Sequence, residues 1–254
     1  MVDIRDLTIE YPLPGGETVK AVESAAAVFP AGSISAVLGP SGCGKTSIIH
    51  AAAGLLKPLS GRITIDGIPV SGIRKTTSVI FQDYGLLPWK TVLANAELPL
   101  TVAGMEKSRR RERVLPILEE FGLWKFRKLY PRQLSGGMKQ RLAIARSLAA
   151  EPDLLLMDEP FSSLDALTRE DAQDFLLSVR KKRNLTIIMV THSIEEAVYL
   201  SENVFVMTGR NPGTISKHFA VQKDEARDFR EDPRFQELCG TIRHYLKDSR
   251  EENR

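Results

Sequence analysis

Gly39-Pro-Ser-Gly-Cys-Gly-Lys45-Thr46 fits the pattern G-x-x-x-x-G-K-[ST] and decides the architecture around it. The apolar run Ser33-Ile-Ser-Ala-Val-Leu38 directly before it reads as a buried strand. A helix is expected from about Lys45. Between the two, the glycines let backbone N–H groups turn inward around phosphate oxygens. The partial positive charge at the helix N-terminus favours the same anion. Gly39, Pro40, Ser41, Gly42, Cys43, Gly44, Lys45, Thr46 and Ser47 are therefore expected to bind a nucleotide. Lys45 would reach the β- and γ-phosphates, and Thr46 would give its hydroxyl to Mg²⁺. A chance turn is the competing reading, and the flanking strand and helix weigh against it.

Composition narrows the class further. The chain has 254 residues, of which 43% are hydrophobic, enough for one large α/β domain or two small ones. A net charge of +3 gives no reason to expect a nucleic-acid partner. The basic clusters Arg109-Arg-Arg111 and Lys181-Lys-Arg183 sit in helical stretches and read as solvated faces. Cys43 and Cys239 are too scattered for a disulfide or zinc framework, which suits a reducing compartment. The segment Met-Val-Asp-Ile-Arg-Asp6 lacks the apolar core of a signal peptide, and no run approaches the ~20 apolar residues of a membrane span. A role at a membrane would have to pass through a partner.

Along the chain, residues 2–10 and 19–29 read as strands around a Pro12–Gly16 turn, with shorter strands at Arg62–Asp66 and Ser78–Phe81. From about 91 to 150 the pattern turns helical. Val114, Ile117, Leu118 and Phe121 form one stripe, and Met138, Leu142, Ala145 and Ala149 another. Pro116 implies that the first of these helices is kinked or starts late. Strand–helix alternation returns after Pro152: Leu154–Met157, Ala166–Arg183, Thr186–Val190, a short helix from Ile194, and Asn203–Thr208. The expected fold is a P-loop α/β core with a mainly parallel sheet. An N-terminal antiparallel β subdomain and a helical lobe inserted at about 91–150 complete a domain over 1–220. A short helical tail follows over 221–254, with its helix at Pro233–Lys247.

Two further stretches carry chemistry. Leu154-Leu-Leu-Met157 ends in Asp158-Glu159, at the carboxyl end of a buried strand where α/β sheets bind ligands. Asp158 would hold Mg²⁺, and Glu159 would face the attacking water as general base. A polar strand end before Pro160 is the alternative. His192, after the strand Thr186–Val190, reads as a γ-phosphate sensor or as a structural histidine. Gln82 follows Ser78–Phe81 in the same manner and could serve Mg²⁺ or the water. Leu134-Ser-Gly-Gly-Met138 opens a helix, with Ser135 as N-cap and Gly136 and Gly137 leaving N–H groups bare. A second phosphate-binding helix start so far from the first suggests that it meets the γ-phosphate held by another copy, in a two-fold head-to-tail dimer.

The loop at Gly39–Thr46, Gln82, Leu134–Met138, Leu154–Glu159, Ser162-Ser-Leu-Asp165 and His192 occur in that order. Together they resemble the ATP-binding subunit of ABC transporters over residues 2–218. The resemblance implies ATP and Mg²⁺ as cofactors, catalytic roles for Lys45, Gln82, Glu159 and His192, and metal contacts from Thr46, Gln82 and Asp158. It places Asp165 in a loop crossing the dimer interface, Leu134, Ser135, Gly136, Gly137 and Met138 against the partner's ATP, and Tyr11 on the adenine.

Phe81-Gln-Asp-Tyr-Gly-Leu-Leu-Pro-Trp89 with Thr91-Val92 and Asn95, and Arg210-Asn-Pro-Gly-Thr214, are similar to the branch importing nitrate, taurine and aliphatic sulfonates. That branch also serves bicarbonate, cyanate and thiamin-precursor pyrimidines. The implied partners are a second ATPase subunit, identical or similar, and a transmembrane permease. An extracytoplasmic solute-binding protein would act indirectly, at a membrane whose cytoplasmic face this subunit occupies. Leu86, Leu87 and Trp89 are candidates for permease docking or for lobe core. The chain departs from the family pattern at Met138, where glutamine is usual, at Ser193, where aspartate commonly follows the histidine, and at Ser163. A soluble cassette protein of ribosomes or DNA is the competing class, and the single cassette here disfavours it.

Overall fold

The computed structural model describes residues 1–223 and 229–251. The expected tail over 221–254 therefore lies partly outside the described residues. In chain order the first elements are β1 (Val2–Pro12), β2 (Thr18–Phe29), β3 (Ile34–Leu38), α1 (Lys45–Ala52), β4 (Ser60–Ile65), β5 (Ile68–Pro69) and β6 (Thr77–Ile80). Helices α2 (Val92–Ala96), α3 (Leu98–Val102), α4 (Lys107–Glu120) and α5 (Gly136–Ala149) follow. Alternation then resumes with β7 (Leu154–Asp158), α6 (Ala166–Arg183), β8 (Thr186–Thr191) and α7 (Ile194–Leu200). Strands β9 (Asn203–Gly209) and β10 (Gly213–Ala220) and helix α8 (Pro233–Glu251) complete the chain. These elements form two compact units, Met1–Arg74 with Thr186–Arg254, and Lys75–Leu185. The fold class is α/β, as expected.

In the first unit, β3 lies between β8 and β9, parallel to both, with Ile34 opposite Ile187 and Ser35 opposite Asn203. Every residue of β3 and β8 is buried. A strand covered on both faces needs no polar side, which is why Ile34–Leu38 reads as a continuous apolar run. Burying Ile34, Val37 and Leu38 contributes about 1.5–3 kcal/mol each, and this rigid strand aims the loop that follows it. The antiparallel β subdomain is present as β1 paired with β2 and β4, and β4 with β5. Strand β10 pairs antiparallel with β9 and touches β2 in parallel at Gly213 opposite Val22. Its sequence, Gly-Thr-Ile-Ser-Lys-His-Phe-Ala220, lacks clean alternation, so the strand exists through its partners rather than its own pattern.

The second unit holds the parallel pair β6–β7, registered from Thr77 opposite Leu154 to Ile80 opposite Met157, together with α2 to α6. Helix α4 starts at Lys107 and carries Pro116 within it. It does not start late: Pro116 removes one bond to the carbonyl four residues back, while burial of Val114, Ile117 and Leu118 holds the helix on both sides. Phe121 meets Phe175 of α6 edge-on, ring centroids 4.7 Å apart. Helix α6 spans the expected residues because its ends are marked chemically. Asp165 caps it by accepting from Thr168 N at 3.1 Å, and Asn184 ends it at φ 46°.

Candidate nucleotide site

The phosphate loop runs from the end of β3 into α1. Gly42 and Gly44 sit at φ 83° and 95°, where side chains are strained, and Gly44 is the residue immediately before α1. A Cβ at Gly44 would also lie 2.6 Å from the Ala21 carbonyl oxygen, so β2 presses directly on the loop. Lys45 is buried, and its Nζ donates to the carbonyls of Gly39 (2.9 Å) and Pro40 (3.0 Å). The ammonium thus ties the start of the loop to the start of α1. Cys43 is buried inside the loop, and burial pushes its thiol above the usual range, against a smaller opposing pull from Lys45. Thr46 is exposed. Tyr11 on β1 donates its hydroxyl to Ser47 Oγ at 3.0 Å, which sets its ring beside the start of α1.

Gly213 was not singled out by the sequence as part of this loop. A Cβ there would lie 2.1 Å from the Cys43 carbonyl oxygen. The first residue of β10 therefore backs the phosphate loop with only a hydrogen where any other residue has a side chain. The signal available was one glycine within Arg210–Thr214, with nothing to tell which segment it would approach.

His192 lies in the same unit, exposed in the turn between β8 and α7. The residue before it is tied to the loop, since Gly39 N donates to Thr191 O at 3.4 Å. Its neighbours are tied to α7: Thr191 Oγ1 donates to Glu196 Oε2 at 2.7 Å and accepts from Ser193 N at 3.1 Å. Ser193 caps α7 by accepting from Glu196 N. At this departure from the family pattern the serine performs the capping for which aspartate is equally suited. Glu196, buried and bonded to Thr191, had no signal in the sequence beyond its place in the first turn of a helix.

The remaining expected residues lie in the second unit. Asp158 ends β7 and is nearly fully buried, and Glu159 follows at φ 43°. A carboxylate residue in the left-handed region stores backbone strain, a recurrent property of functional positions. The turn is closed by Ser162, whose N–H and hydroxyl both donate to Glu159 O at 3.2 and 3.0 Å. Ser135 caps α5 by accepting from Met138 N at 3.3 Å. A Cβ at Gly136 would lie 2.7 Å from Leu164 Cδ2, and one at Gly137 2.9 Å from Thr168 Cγ2. The glycine pair therefore lets the start of α5 pack on the loop that carries Asp165. Hydrogen bonds from Thr168 hold the Asp165 carboxyl below the usual carboxylate range.

Gln82 is exposed just after β6. The backbone beyond it is held by two side chains. Arg146 of α5 donates to Tyr84 O and Gly85 O, both at 2.6 Å, and burial lowers its guanidinium from the usual value. Buried Asn95 accepts from Leu87 N and donates to the carbonyls of Leu87, Lys90 and Thr91. Trp89 is left 71% exposed, while Leu86 and Leu87 are half-buried. Arg146 escaped the sequence reading because an arginine near the end of an amphipathic helix reads as solvated.

The expected residues thus form two groups: Tyr11, the phosphate loop and His192 in one unit, and Gln82, Asp158, Glu159, Asp165 and Leu134–Met138 in the other. Residues 23–162 match the family described as ABC transporter. The taurine import ATP-binding protein of Yersinia pestis bv. Antiqua (strain Antiqua) is 40% identical over 242 residues, 92% of each chain. That of Rhizobium johnstonii is 40% identical over 253 residues, 97% of this chain and 96% of its own. An uncharacterized ABC transporter ATP-binding protein of Methanocaldococcus jannaschii, MJ0412, is 43% identical over 92% of this chain and 86% of its own. Among solved structures, the dimeric cassette MJ0796 bound to ADP and Pi superposes with a TM-score of 0.76 at 30% identity, over 88% of this chain and all of that one. The cbiO1 protein of Clostridium perfringens, part of the cbiONQ complex, gives 0.74 at 27% identity, over 86% of this chain and 88% of that one. A cradle shaped for phosphate, a strained carboxylate at a strand end, and these likenesses together mean that the chain belongs to the ABC transporter family, as an ATP-binding cassette and an ATPase.

Proposed function

We propose that this ATPase energises import of a small organic sulfonate, of which taurine is the type, through a separate membrane permease. The supporting observation is the match at 40% identity to taurine import ATP-binding proteins over more than nine-tenths of both chains. Among the described residues, no helix is long and apolar enough to cross a membrane. The path for the solute would then belong to the permease, with this subunit at its cytoplasmic face. Trp89, exposed on a loop held by Arg146 and Asn95, offers the apolar surface for docking.

In the proposed cycle two copies close face to face. ATP lies on the Gly39–Ser47 loop of one, its adenine against Tyr11, and meets Ser135, Gly136 and Gly137 of the other. The dimeric structure of the MJ0796 cassette supports the pairing of two copies. Glu159 orients and deprotonates the attacking water, and His192 holds the γ-phosphate. The hydroxyl of exposed Thr46, the carboxylate of Asp158 at the end of β7 and the amide of exposed Gln82 are all oxygen donors, a set that suits Mg²⁺. When bound, Mg²⁺ adds positive charge against the phosphate oxygens. Lys45 and the opposing helix start stabilise the charge that develops on the transferred group. Closure would be passed to the permease and reversed after hydrolysis.

Purification of the permease complex with its solute-binding protein tests the cargo. Taurine or a short alkyl sulfonate should bind that protein and stimulate ATP hydrolysis by the reconstituted complex. Stimulation by nitrate, cyanate, bicarbonate or a pyrimidine, with none by sulfonates, would overturn the assignment.

A further inference from the structure

Helix α7, which begins two residues after His192, is held at both ends by the C-terminal part of the chain. Arg243 of α8 donates from Nη2 to Glu195 Oε1 at 2.7 Å. At the other end, the Arg230 guanidinium lies 3.5 Å from the centre of the Tyr199 ring, and Lys223 Nζ donates to Tyr199 O. Phe235, Cys239 and Ile242, spaced as one helix face, bury the side of α8 that carries it against the unit. Glu195 is close enough to Cys239 for its charge to add to the effect of burial, which drives the thiol up to about 11.

Glu195 is wired onward to the turn that carries the histidine. Its Oε2 accepts from Ser193 Oγ at 3.3 Å, and Ser193 Oγ in turn caps Glu196 N. Ser193 N and Glu196 Oε2 are both bound to Thr191 Oγ1. His192 therefore stands between two residues whose side chains are committed to the first turn of α7, and Arg243 fixes the exposed end of that network. Apolar contacts alone would suffice if α8 merely covered the core. A cation reaching out to the carboxylate that accepts from the Ser193 hydroxyl is an additional feature.

We propose that Arg243 is a positioning residue for ATP hydrolysis, acting through Glu195 and Ser193 to hold the turn that presents His192. The inference rests on the assignment of His192 to the γ-phosphate. Both members of the pair are about half exposed, 49% for Arg243 and 55% for Glu195, so the effect is bounded. An exposed pair of this kind corresponds to about a two- to fivefold change in kcat.

Steady-state hydrolysis by the full chain provides the test, with Arg243→Ala, Arg243→Lys, Glu195→Gln, the Arg243→Ala/Glu195→Gln double variant, and His192→Ala as control. Arg243→Ala should lower kcat about two- to fivefold at unchanged KM for ATP and unchanged melting temperature. Arg243→Lys should recover most of the loss, and the double variant should be no worse than either single one. The gap between wild type and Arg243→Ala should narrow at about 1 M salt, because salt weakens a solvent-exposed ion pair. Unchanged kcat in Arg243→Ala beside an inactive His192→Ala would sink the brace and spare the histidine. Loss of kcat together with melting temperature, without rescue by lysine, would reduce α8 to a structural cover. Undiminished hydrolysis in His192→Ala would instead remove the histidine assignment on which the proposal stands.

Discussion

Gly213→Ala is the sharpest perturbation the structure offers, because it adds one methyl group far in sequence from any nucleotide motif. The new Cβ would lie 2.1 Å from the Cys43 carbonyl oxygen and 2.9 Å from its carbon, where real contacts do not fall below 3.0 Å. Something must move by about 0.9 Å, and both atoms in the way are backbone rather than a flexible side-chain tip. Gly213 cannot easily retreat, since it is paired with Gly209 on one side and Val22 on the other. The phosphate loop must therefore give. Overpacking of this size costs about 1–3 kcal/mol. Expressed in the loop's fit to phosphate, that is about a five- to 150-fold weaker ATP affinity. Equilibrium titration with a fluorescent ATP analogue, under conditions that prevent hydrolysis, reads it directly. An affinity within twofold of wild type would refute the reasoning. So would a lower melting temperature with affinity unchanged, which would show that β10 yields and the loop does not.

Ser135→Arg should leave ATP binding largely intact and stop hydrolysis, as followed by phosphate release. Loss of binding instead would mean that the Leu134–Met138 segment serves its own chain's nucleotide. Arg146→Ala removes two charge-assisted hydrogen bonds and strands two carbonyls, offset in part by relief of a buried guanidinium. Urea unfolding should show a loss of about 2–4 kcal/mol, and a value below about 1 would contradict the geometry. Cys239 has a folded-state pKa of about 11, raised from 9.0 mainly by burial, so the neutral thiol is favoured by folding. Its contribution is complete below about pH 9 and is lost as pH rises toward about 11. Wild type should lose stability relative to Cys239→Ala across that interval, and parallel curves would refute it.

The parts legible in the sequence are those where chemistry is local. The loop at Gly39–Thr46 needs only its own glycines, a strand before and a helix after, and all three lie where they were expected. Helix α6 spans Ala166–Arg183 as expected, and the structure shows Asp165 and Asn184 at its ends. Strand β10 was not legible, since Lys217 and His218 break any alternation and its pairing comes from β9. Gly213 and Arg146 failed for a related reason. What each does depends on a backbone segment more than 60 residues away, and nothing in the neighbouring sequence reports it. Of the two expectations for Pro116, a kink or a late start, the late start is excluded by a helix that begins at Lys107 and is held by burial on either side of the proline.

The backbone of Glu159, at φ 43°, implies an asymmetry between this chain's working and idle forms. A left-handed glutamate stores on the order of 1 kcal/mol that glycine at the same position would not, even after glycine's greater freedom in the unfolded state is counted. Both Glu159→Gln and Glu159→Gly remove the proposed base, but the glutamine keeps the strain and the glycine releases it. The glycine variant should therefore unfold at a higher denaturant concentration than the glutamine one, with hydrolysis lost from both if Glu159 is the base. One dihedral angle thus separates two variants that lack the same carboxylate by the stability each retains.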